Sequence, residues 1–422
     1  MSNEETHEKA PSMSFNRWFI VGAGFLVLMT SWGSQFSFGV FLVPLTKEFG
    51  WDRASTSGIF SLSILMFGVG SIFTGKLADR FGPRLVVGLG GAVMAGGLLL
   101  SAAIQNLWQL YLCYGVMTGI GVSAGYGPLV VSASRWFSAS RGVAIGIMSA
   151  GIGVGIMVGP FVSSRLIAAL GCRGALTILG LITGGIIIGS TFFLRRDPRH
   201  TGPGPQKSNE DKGRTDPAKT FSPEIILVKD WNLSQALRAR IFWMMFTAYL
   251  LWCVGFYMIA VHLAAYGTDI GLSATSAAMA VSFVGVGGIL GKSLMGFVSD
   301  RVGPEKVLVM NLLLQAVCIF ALINSRSTTS LYVFSMLFGL GYGGTGPQLP
   351  LVAANIFGLS SIGEIFGVLI LSGQIGGAIG PLLAGEIFNL TQTYSIGFAA
   401  GGISVIAAFL LIVFMRVPFV QR

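Results

Sequence analysis

One lysine of this sequence lies deep within an apolar segment, where charged residues are rarely tolerated. Lys292 follows the glycine-rich run GVGGILG and lies about 10 Å from the end of its predicted helix, at roughly 1.5 Å per residue. An unpaired ammonium in hydrocarbon costs several kcal/mol, so such residues usually face a wet cavity. We expect Lys292 to hold a carboxylate as a point cation. A lysine whose stem covers apolar surface while its ammonium reaches the membrane interface stays the alternative.

Further polar and aromatic side chains lie near the middle of apolar segments. The free histidine side chain titrates near neutral pH, so His262 is a candidate proton carrier, or else a hydrogen-bonded interfacial histidine. Aromatic rings with a hydroxyl group suit a small organic acid. The candidate residues for lining a cavity, each with ordinary packing as its alternative, are Tyr126, Tyr342, Gln35, Phe36, Tyr257 and Gln374.

The elements that position these residues are membrane-spanning helices. Of the 422 residues, 53% are hydrophobic and 10% are charged, and the mean hydropathy is +0.75. A soluble protein has roughly a quarter of its residues charged. Uninterrupted apolar runs longer than about 18 residues recur along the chain and predict helices that cross a bilayer, since backbone groups in lipid must bond internally.

The same composition excludes several classes of function. The chain has three histidines and no clustered catalytic set, so an integral-membrane enzyme is not expected. Its four cysteines lie in apolar runs without metal-ligand spacing, and we expect no metal site, no cofactor and no disulfide framework.

Twelve apolar segments are predicted, in two groups of six. The predicted spans are 17–43, 53–78, 83–104, 107–135, 141–168, 171–195, 241–266, 273–299, 304–324, 328–357, 361–389 and 392–416. The corresponding domains are an N-terminal tail (1–16), a first six-helix bundle (17–195), a linker (196–240), a second bundle (241–416) and a C-terminal tail (417–422). Within the linker, Trp231–Leu237 is predicted to form a short amphipathic helix on the membrane surface.

The basic residues indicate the orientation, because they accumulate in cytoplasmic loops. With both termini cytoplasmic, the cations left on the outside are Lys47, Arg53, Arg165, Arg173 and Arg326. Apart from Lys292, which lies in a span, the other lysines and arginines among the 27 then lie inside. The net charge of +10 is therefore a topology signal, and nucleic-acid binding is not expected.

Motifs of the first half return in the second half. GKLADRFGPR (75–84) is echoed by GFVSDRVGP (296–304) at an offset of 221 residues, and GYGP (125–128) is echoed by GTGP (344–347) at an offset of 219. A weaker echo, with two glycines and a proline in common, links 155–160 to 376–381. Parallel six-helix repeats of this kind suit a transporter whose two halves rock about a site at their interface.

The two loop motifs resemble the G-x-x-x-D-R-x-G signature of the major facilitator superfamily, and the run 150–160 resembles its helix-five motif. The resemblance covers the whole chain and implies an all-α fold of twelve transmembrane helices in two pseudo-symmetric six-helix bundles. It also implies that the motif residues latch the cytoplasmic side in the outward-facing state through ion pairs and helix-end interactions. The motif residues are Gly75, Asp79, Arg80, Arg84, Gly296, Asp300 and Arg301.

Shorter segments resemble the branch of oxalate/formate antiporters and monocarboxylate transporters. These segments are NRWF (16–19), RWF (135–137) with Arg141-Gly142, HLAAYGTDIG (262–271), and Lys292 placed four residues before the second loop motif. In that branch the position of Lys292 is usually an arginine that binds the substrate carboxylate. Lysine lacks the bidentate guanidinium fork.

The resemblance implies a secondary transporter of small organic anions that works by alternating access. The antiporter resembled here uses a second cation in helix eleven for a dicarboxylate, and the corresponding run GVLILSGQIGG (367–377) has none, which favours monocarboxylates such as lactate or pyruvate. Animal monocarboxylate transporters have an aspartate one turn before the cation, where this chain has Gly288. Proton symport through His262 or Lys292 and organic-anion exchange both stay open, and a non-transporting nutrient receptor is more remote. We expect a monomer in a plasma membrane, typical of a prokaryotic inner membrane.

Overall fold

A computed structural model describes residues 17–137, 141–194, 231–358 and 361–415, and these residues are almost entirely helical. The helices of the first half are α1 (Trp18–Phe36), α2 (Phe38–Phe49), α3 (Arg53–Phe81), α4 (Pro83–Ser101), α5 (Leu107–Leu110), α6 (Gly119–Trp136) and α7 (Arg141–Thr191), with a π-helical segment (Tyr111–Thr118) joining α5 to α6. The helices of the second half are α8 (Leu233–Arg238), α9 (Arg240–Asp269), α10 (Ala274–Val302), α11 (Pro304–Ile323), α12 (Thr328–Phe357), α13 (Ile362–Thr391) and α14 (Tyr394–Phe414).

These helices make twelve membrane crossings, as predicted. Within the described residues, nine helical stretches qualify as spans by length and composition alone, and one of them, Ala144–Thr191, has 48 residues. At about 1.5 Å per residue this stretch is more than twice as long as the hydrocarbon core is thick. Its helical backbone is interrupted at Gly171, where φ is 70° and ψ is 179°. The remaining two crossings are the glycine-rich α12 and the helix that runs from α5 through the π-helical segment to α6.

The chain reverses direction at Gly171. Before this residue, Gly151 packs on Phe25 and Gly155 packs on Met29, so α7 runs parallel to α1. After it, Gly180 packs on Leu99 and Gly184 packs on Ala95, so the second part of α7 runs antiparallel to α4. Because α1 and α4 both run antiparallel to α6, the two parts of α7 are antiparallel to each other.

The repeated loop motif makes the same turn in each half. The glycine between α3 and α4, Gly82, has φ 88°, and the equivalent Gly303 between α10 and α11 has φ 95°. This left-handed region favours glycine, and the prolines that follow, Pro83 and Pro304, occupy the first helical position, where a missing N–H costs nothing. The motif therefore defines a tight helix–helix turn twice, consistent with two pseudo-symmetric six-helix bundles.

A short helix is confirmed in the linker segment predicted for it, as α8, which follows Trp231, and its position on the membrane surface stays a prediction. The Trp231 amide donates to the Phe357 carbonyl oxygen at 3.0 Å, and the two rings meet edge to face at 5.8 Å. Asn232 and Gln235 form a reciprocal capping box at its start. The N-terminal tail, the rest of the linker up to residue 230 and the C-terminal tail lie outside the described residues.

Close backbone contact between α1 and the first part of α7 depends on glycine. Gly151, Gly155 and Gly159 lie one turn apart on α7, and a Cβ atom on any of them would collide with the backbone of α1. From the other side, a Cβ atom on Gly33 would lie 3.0 Å from the Gly155 carbonyl oxygen. Small residues spaced in this way let membrane helices approach closely.

We predict that Gly155→Ala lowers thermal stability, because the added methyl group must push α1 away at a cost of about 1–3 kcal/mol. Gly185→Ala is the matched control, since nothing lies within 4 Å of its Cβ position and alanine favours the helix. Thermal unfolding of both variants in detergent measures the difference. Equal melting temperatures for the two variants would show that the close approach is not required.

Candidate functional site

The two bundles contact each other mainly along two helix pairs, α3 with α13 and α7 with α10, and α2 makes a smaller contact with α9. Along the first pair, Gly385 packs on Ala54 and Gly68 packs on Gln374. Along the second pair, Gly285 packs on Met157 and Gly153 packs on Ile289. Both pairs are antiparallel. The contacts of α3 with α13 run from the face of the molecule that contains Arg53 and Asp269 to Gly68, and the contacts of α7 with α10 lie near the middle of both helices.

Beyond these contacts the bundles separate toward the opposite face. Gly75, Gly146, Gly296 and Gly367 lie further along the same four helices, and around each of them the Cβ position is open, with nothing from a neighbouring element within 4 Å. We call the face at Arg53 the closed face and the face at the Gly82 and Gly303 turns the open face. The space between the bundles therefore opens toward one face only.

Lys292 lies between the bundles at the end of these contacts. It follows Gly285 by seven residues, nearly two helical turns, so both residues are on the same face of α10. That face meets the first bundle, because Gly285 packs on Met157 of α7. One turn before Lys292, the Cβ position of Gly288 is 3.5 Å from the ring of Tyr342. Lys292 is half-buried, and its ammonium has no ion-pair or hydrogen-bond partner among the described side chains.

An aromatic cluster adjoins this position. Tyr342 stacks on Phe256 with ring centroids 4.1 Å apart and an interplanar angle of 10°, and Phe256 contacts Tyr257 at 5.1 Å. Across the bundle interface, Phe36 of α1 stacks on Tyr257 at 6.2 Å. Three of the predicted lining residues, Phe36, Tyr257 and Tyr342, therefore belong to one cluster, which Phe256 links together.

The other predicted lining residues lie in different environments. Tyr126 on α6 is 40% exposed. Gln374 is buried against Gly68 at the bundle interface, and its Oε1 has no hydrogen-bond partner among the described residues. Gln35 is 1% exposed, and its carboxamide is bonded to the Ser63 hydroxyl, with Nε2 donating at 2.8 Å. Its amide is thus used in packing α1 on α3 in this conformation.

His262 is completely buried at the closed face, within a chain of hydrogen bonds. Its Nε2 lies 3.0 Å from the Pro381 carbonyl oxygen, and its Nδ1 lies 2.9 Å from the Tyr394 hydroxyl. Arg53 of the first bundle donates to the same hydroxyl at 2.8 Å. His262 is therefore connected to the contact between the bundles and not to the position of Lys292.

Arg53 forms the strongest polar contact between the bundles. Its guanidinium binds the Asp269 carboxylate with both terminal nitrogens, at 2.6 Å and 2.8 Å, and lies over the Phe388 ring at 3.9 Å. We call Arg53, Asp269, Tyr394 and His262 the latch. Beside the latch, Asn389 donates to Asp52 at 2.8 Å. Burial raises the pKa of Asp52, but hydrogen bonds from Ser55 and Asn389 outweigh it, and the pKa lies below its usual value.

The predicted gate residues lie at the open face, apart from one another. The guanidinium of Arg80 lies 5.2 Å from the Phe81 ring, that of Arg84 lies 5.3 Å from the Phe192 ring, and that of Arg301 lies 4.0 Å from the Phe297 ring. The side chain of Asp79 is outside what the structure describes, and Asp300 is exposed. A latching role for these residues in the opposite conformation stays a prediction.

The family model of the Major Facilitator Superfamily matches residues 24–322 and 263–422 of the chain. The chain belongs to the Major Facilitator Superfamily. It is therefore a membrane transporter and not an enzyme, and the prediction of a twelve-helix facilitator fold is confirmed.

Relatives and solved structures agree with this membership. Monocarboxylate transporter 12 of Rattus norvegicus is 27% identical over 95% of this chain and 85% of its own length. The oxalate:formate antiporter of Oxalobacter formigenes is 27% identical over 91% of this chain and 88% of its own. An inward-facing, occupied crystal structure of a bacterial homologue of the human lysosomal transporter Spinster superposes with a TM-score of 0.69 at 17% identity, covering 94% and 95% of the two chains.

Two groups of residues at the bundle interface are absent from the sequence-based prediction. No sequence pattern distinguishes Phe256 from its neighbours, because its helix is apolar on every side, and the same is true of Trp32. The Trp32 indole packs edge-on against Phe67 at 5.4 Å, and its Nε1 is buried without a described partner. Arg53 and Asp269 are separated by 216 residues, and the only signal for their pairing is their opposite charge at predicted outer ends.

We predict that Ser63→Ala destabilises this transporter by about 1–3 kcal/mol, the usual cost of leaving a buried polar group unsatisfied, here the Gln35 carboxamide. Ser71→Ala is the control, because that hydroxyl is exposed and bonds only the Phe67 carbonyl of its own helix, at 2.7 Å. Thermal unfolding in detergent compares them. If the Ser63→Ala variant has the same melting temperature as the control, this hydrogen bond does not hold Gln35 in place, and the Gln35 carboxamide is available to a ligand.

Proposed function

We propose that this transporter carries small organic monocarboxylates, of the size of lactate or pyruvate, together with protons, by rocker-switch alternating access. The observation that carries the proposal is Lys292. Its side chain is on the face of α10 that meets the first bundle, one turn beyond the contact of Ile289 with Gly153. A cation in this position, without a described carboxylate partner, provides an anchor for an anionic solute.

The surroundings of Lys292 favour a small substrate with one carboxylate. Within the described part of α13, the run 367–377 adds no second cation to the interface. The rings of Tyr342 and Phe256 provide an apolar wall. Both of the aligned relatives named above are transporters of small carboxylates by name. Sequence identity of 27% supports this class of substrate and not a particular acid.

Two buried polar atoms suit an acid with an oxygen on its second carbon. Trp32 Nε1 is a donor and Gln374 Oε1 is an acceptor, and neither has a partner in the described part of the chain. Both residues adjoin α3 at consecutive positions, Trp32 at Phe67 and Gln374 at Gly68. A keto or hydroxyl group would satisfy one or both of these atoms. Tyr126, Tyr257, Phe36 and Gln35 complete the proposed lining.

The proposed orientation places both termini in the cytoplasm, so that the open face is cytoplasmic and the conformation is inward-open. The distribution of Lys and Arg among the loops supports this orientation. We further propose bundles at 17–195 and 241–416, a monomeric state, and residence in a plasma membrane, of the prokaryotic inner-membrane type. Asp79, Arg80, Arg84, Asp300 and Arg301 would then close the cytoplasmic face in the outward-open state.

Transport in proteoliposomes separates symport from exchange. Labelled lactate, formate and oxalate are supplied in turn, with and without an inward-directed pH gradient and with and without internal unlabelled substrate. Proton symport predicts lactate accumulation driven by the pH gradient alone. Accumulation that requires internal substrate, whatever the gradient, would instead identify an organic-anion exchanger.

We predict that Lys292→Ala abolishes saturable uptake, whereas Lys292→Arg retains it. A hydrogen bond to a charged group contributes about 1.5–3 kcal/mol, which corresponds to roughly a 10- to 150-fold loss of apparent affinity. Lys47→Ala is the matched control, because Lys47 is exposed at the closed face, at the opposite end of the helices from the space that Lys292 faces. Initial rates are normalised to folded protein measured by size-exclusion chromatography. Undiminished uptake by Lys292→Ala would remove the anchor.

A further inference from the structure

The latch joins the two bundles through a histidine whose protonation state follows from its partners. The Pro381 carbonyl oxygen only accepts hydrogen bonds, so the Nε2 of His262 carries a hydrogen and donates to it over 3.0 Å. The Ser57 hydroxyl of the first bundle donates to the same carbonyl oxygen at 3.0 Å. The ring orientation of His262 is therefore fixed by a carbonyl group that also holds the two bundles together.

The other ring nitrogen faces a hydroxyl that is already an acceptor. The Tyr394 hydroxyl oxygen accepts a hydrogen bond from Arg53 at 2.8 Å. The hydroxyl hydrogen is then donated to Nδ1 of His262, at an O–N distance of 2.9 Å. This arrangement requires the neutral imidazole, with Nδ1 unprotonated. The closed latch is thus a continuous chain of donors and acceptors that runs from Arg53 to Tyr394, His262 and Pro381.

Protonation of His262 disrupts this chain in two ways. With a hydrogen on Nδ1, the ring can no longer accept from Tyr394, and the tyrosine hydrogen loses its buried acceptor. The imidazolium would also share one hydroxyl oxygen with the Arg53 guanidinium, and two like charges on a single neutral oxygen repel each other in a site of low polarity. This repulsion either displaces Arg53 from Asp269 or prevents His262 from binding the proton.

We propose that His262 is a proton-binding site built into the latch, and that binding of a proton there releases the Arg53–Asp269 pair and opens the closed face. This inference rests on the proposed function in one respect, that the proton is the coupling ion. The linkage has a definite sign: the closed latch binds neutral His262, so acidification favours the open latch. A proton taken up from the closed side would then occupy the transporter before the anion enters.

Charged groups from several elements surround His262, and the carboxylates of two of them, Asp269 and Glu48, are paired with arginines. On α9 itself, Asp269 is the nearest carboxylate along the helix, and it is neutralised by Arg53 of α3. Glu48, at the end of α2, is paired with Arg173 at 3.2 Å. The remaining titratable groups at this end are Tyr266 on α9 itself, Lys47, Glu386 and Tyr394 on helices that pack against α9, and Asp52 and Arg326 in adjoining turns.

Distance measurements at the closed face test the proposal without a substrate. Spin labels are attached to Gln105→Cys in the first bundle and Ala274→Cys in the second, both exposed at this face, after replacement of the four native cysteines. Distances between the two labels are measured by double electron–electron resonance at pH 7.5 and pH 5.5 in lipid nanodiscs. We expect the longer-distance population to grow on acidification, by at most about tenfold per pH unit, the limit for one bound proton.

Variants assign the response to the latch. His262→Gln should lose the pH response, and Asp269→Asn should show the longer distance at both pH values. The matched control replaces the other two histidines, His7 and His200, with glutamine and should respond like the parent. A parent protein without a pH response, a His262→Gln variant that still responds, or an Asp269→Asn variant that stays closed would each overturn the proposal.

Uptake assays separate the two proposals. If the latch responds to pH through His262 but lactate uptake ignores the pH gradient, proton symport fails and the proton site stands. In the opposite case, the pH gradient drives uptake, and the His262→Gln variant keeps both gradient-driven uptake and the pH response of the latch. The proton site at His262 is then excluded, and proton symport stands.

Discussion

Exclusion of water from the bilayer interior constrains where this chain places charge. Backbone groups in lipid bond within helices, and ionised side chains move to the ends of the helices or into the space between the bundles. Arg53 and Asp269 follow the first course, because they lie at helix ends and neutralise each other across the bundle interface. Lys292 follows the second course, because it lies on the face of α10 that is directed at the first bundle, one turn after Gly288, which adjoins the Tyr342 ring.

The asymmetry between the two faces follows from how the bundles touch. Glycines bring α3 close to α13 from the closed face as far as Gly68, and they bring α7 close to α10 near the middle of both helices. Among the described residues, no comparable glycine contact joins the same helices near the open face. A short contact backed by one bidentate ion pair would permit rotation about the mid-membrane contacts, and under the proposed mechanism the helices that bind the solute would also move.

The two bundles contribute unequally to the chemistry at their interface. Lys292, Tyr342, Phe256, Tyr257 and His262 all belong to the second bundle. The first bundle contributes the apolar ring of Phe36, the indole of Trp32 and, at the closed face, Arg53. On the proposed function, the cation that binds the anion therefore comes from the second bundle, and the first bundle adds Trp32, Phe36, Gln35 and Tyr126 to the lining and Arg53 to the latch.

The sequence by itself determined the membrane class, the twelve spans, the reversal near residue 171 and the repeated Gly-Pro turns, because each depends on local apolar length or on a backbone angle that glycine adopts. It also marked Lys292, since one charge in an apolar run is conspicuous. Only the tertiary structure decided that Gln35 bonds Ser63, that Phe256 links the predicted aromatic residues and that His262 shares Tyr394 with Arg53. Helices that are apolar on every side carry little sequence signal for the direction in which a side chain points. Partners 216 residues apart, such as Arg53 and Asp269, meet only when the bundles pack.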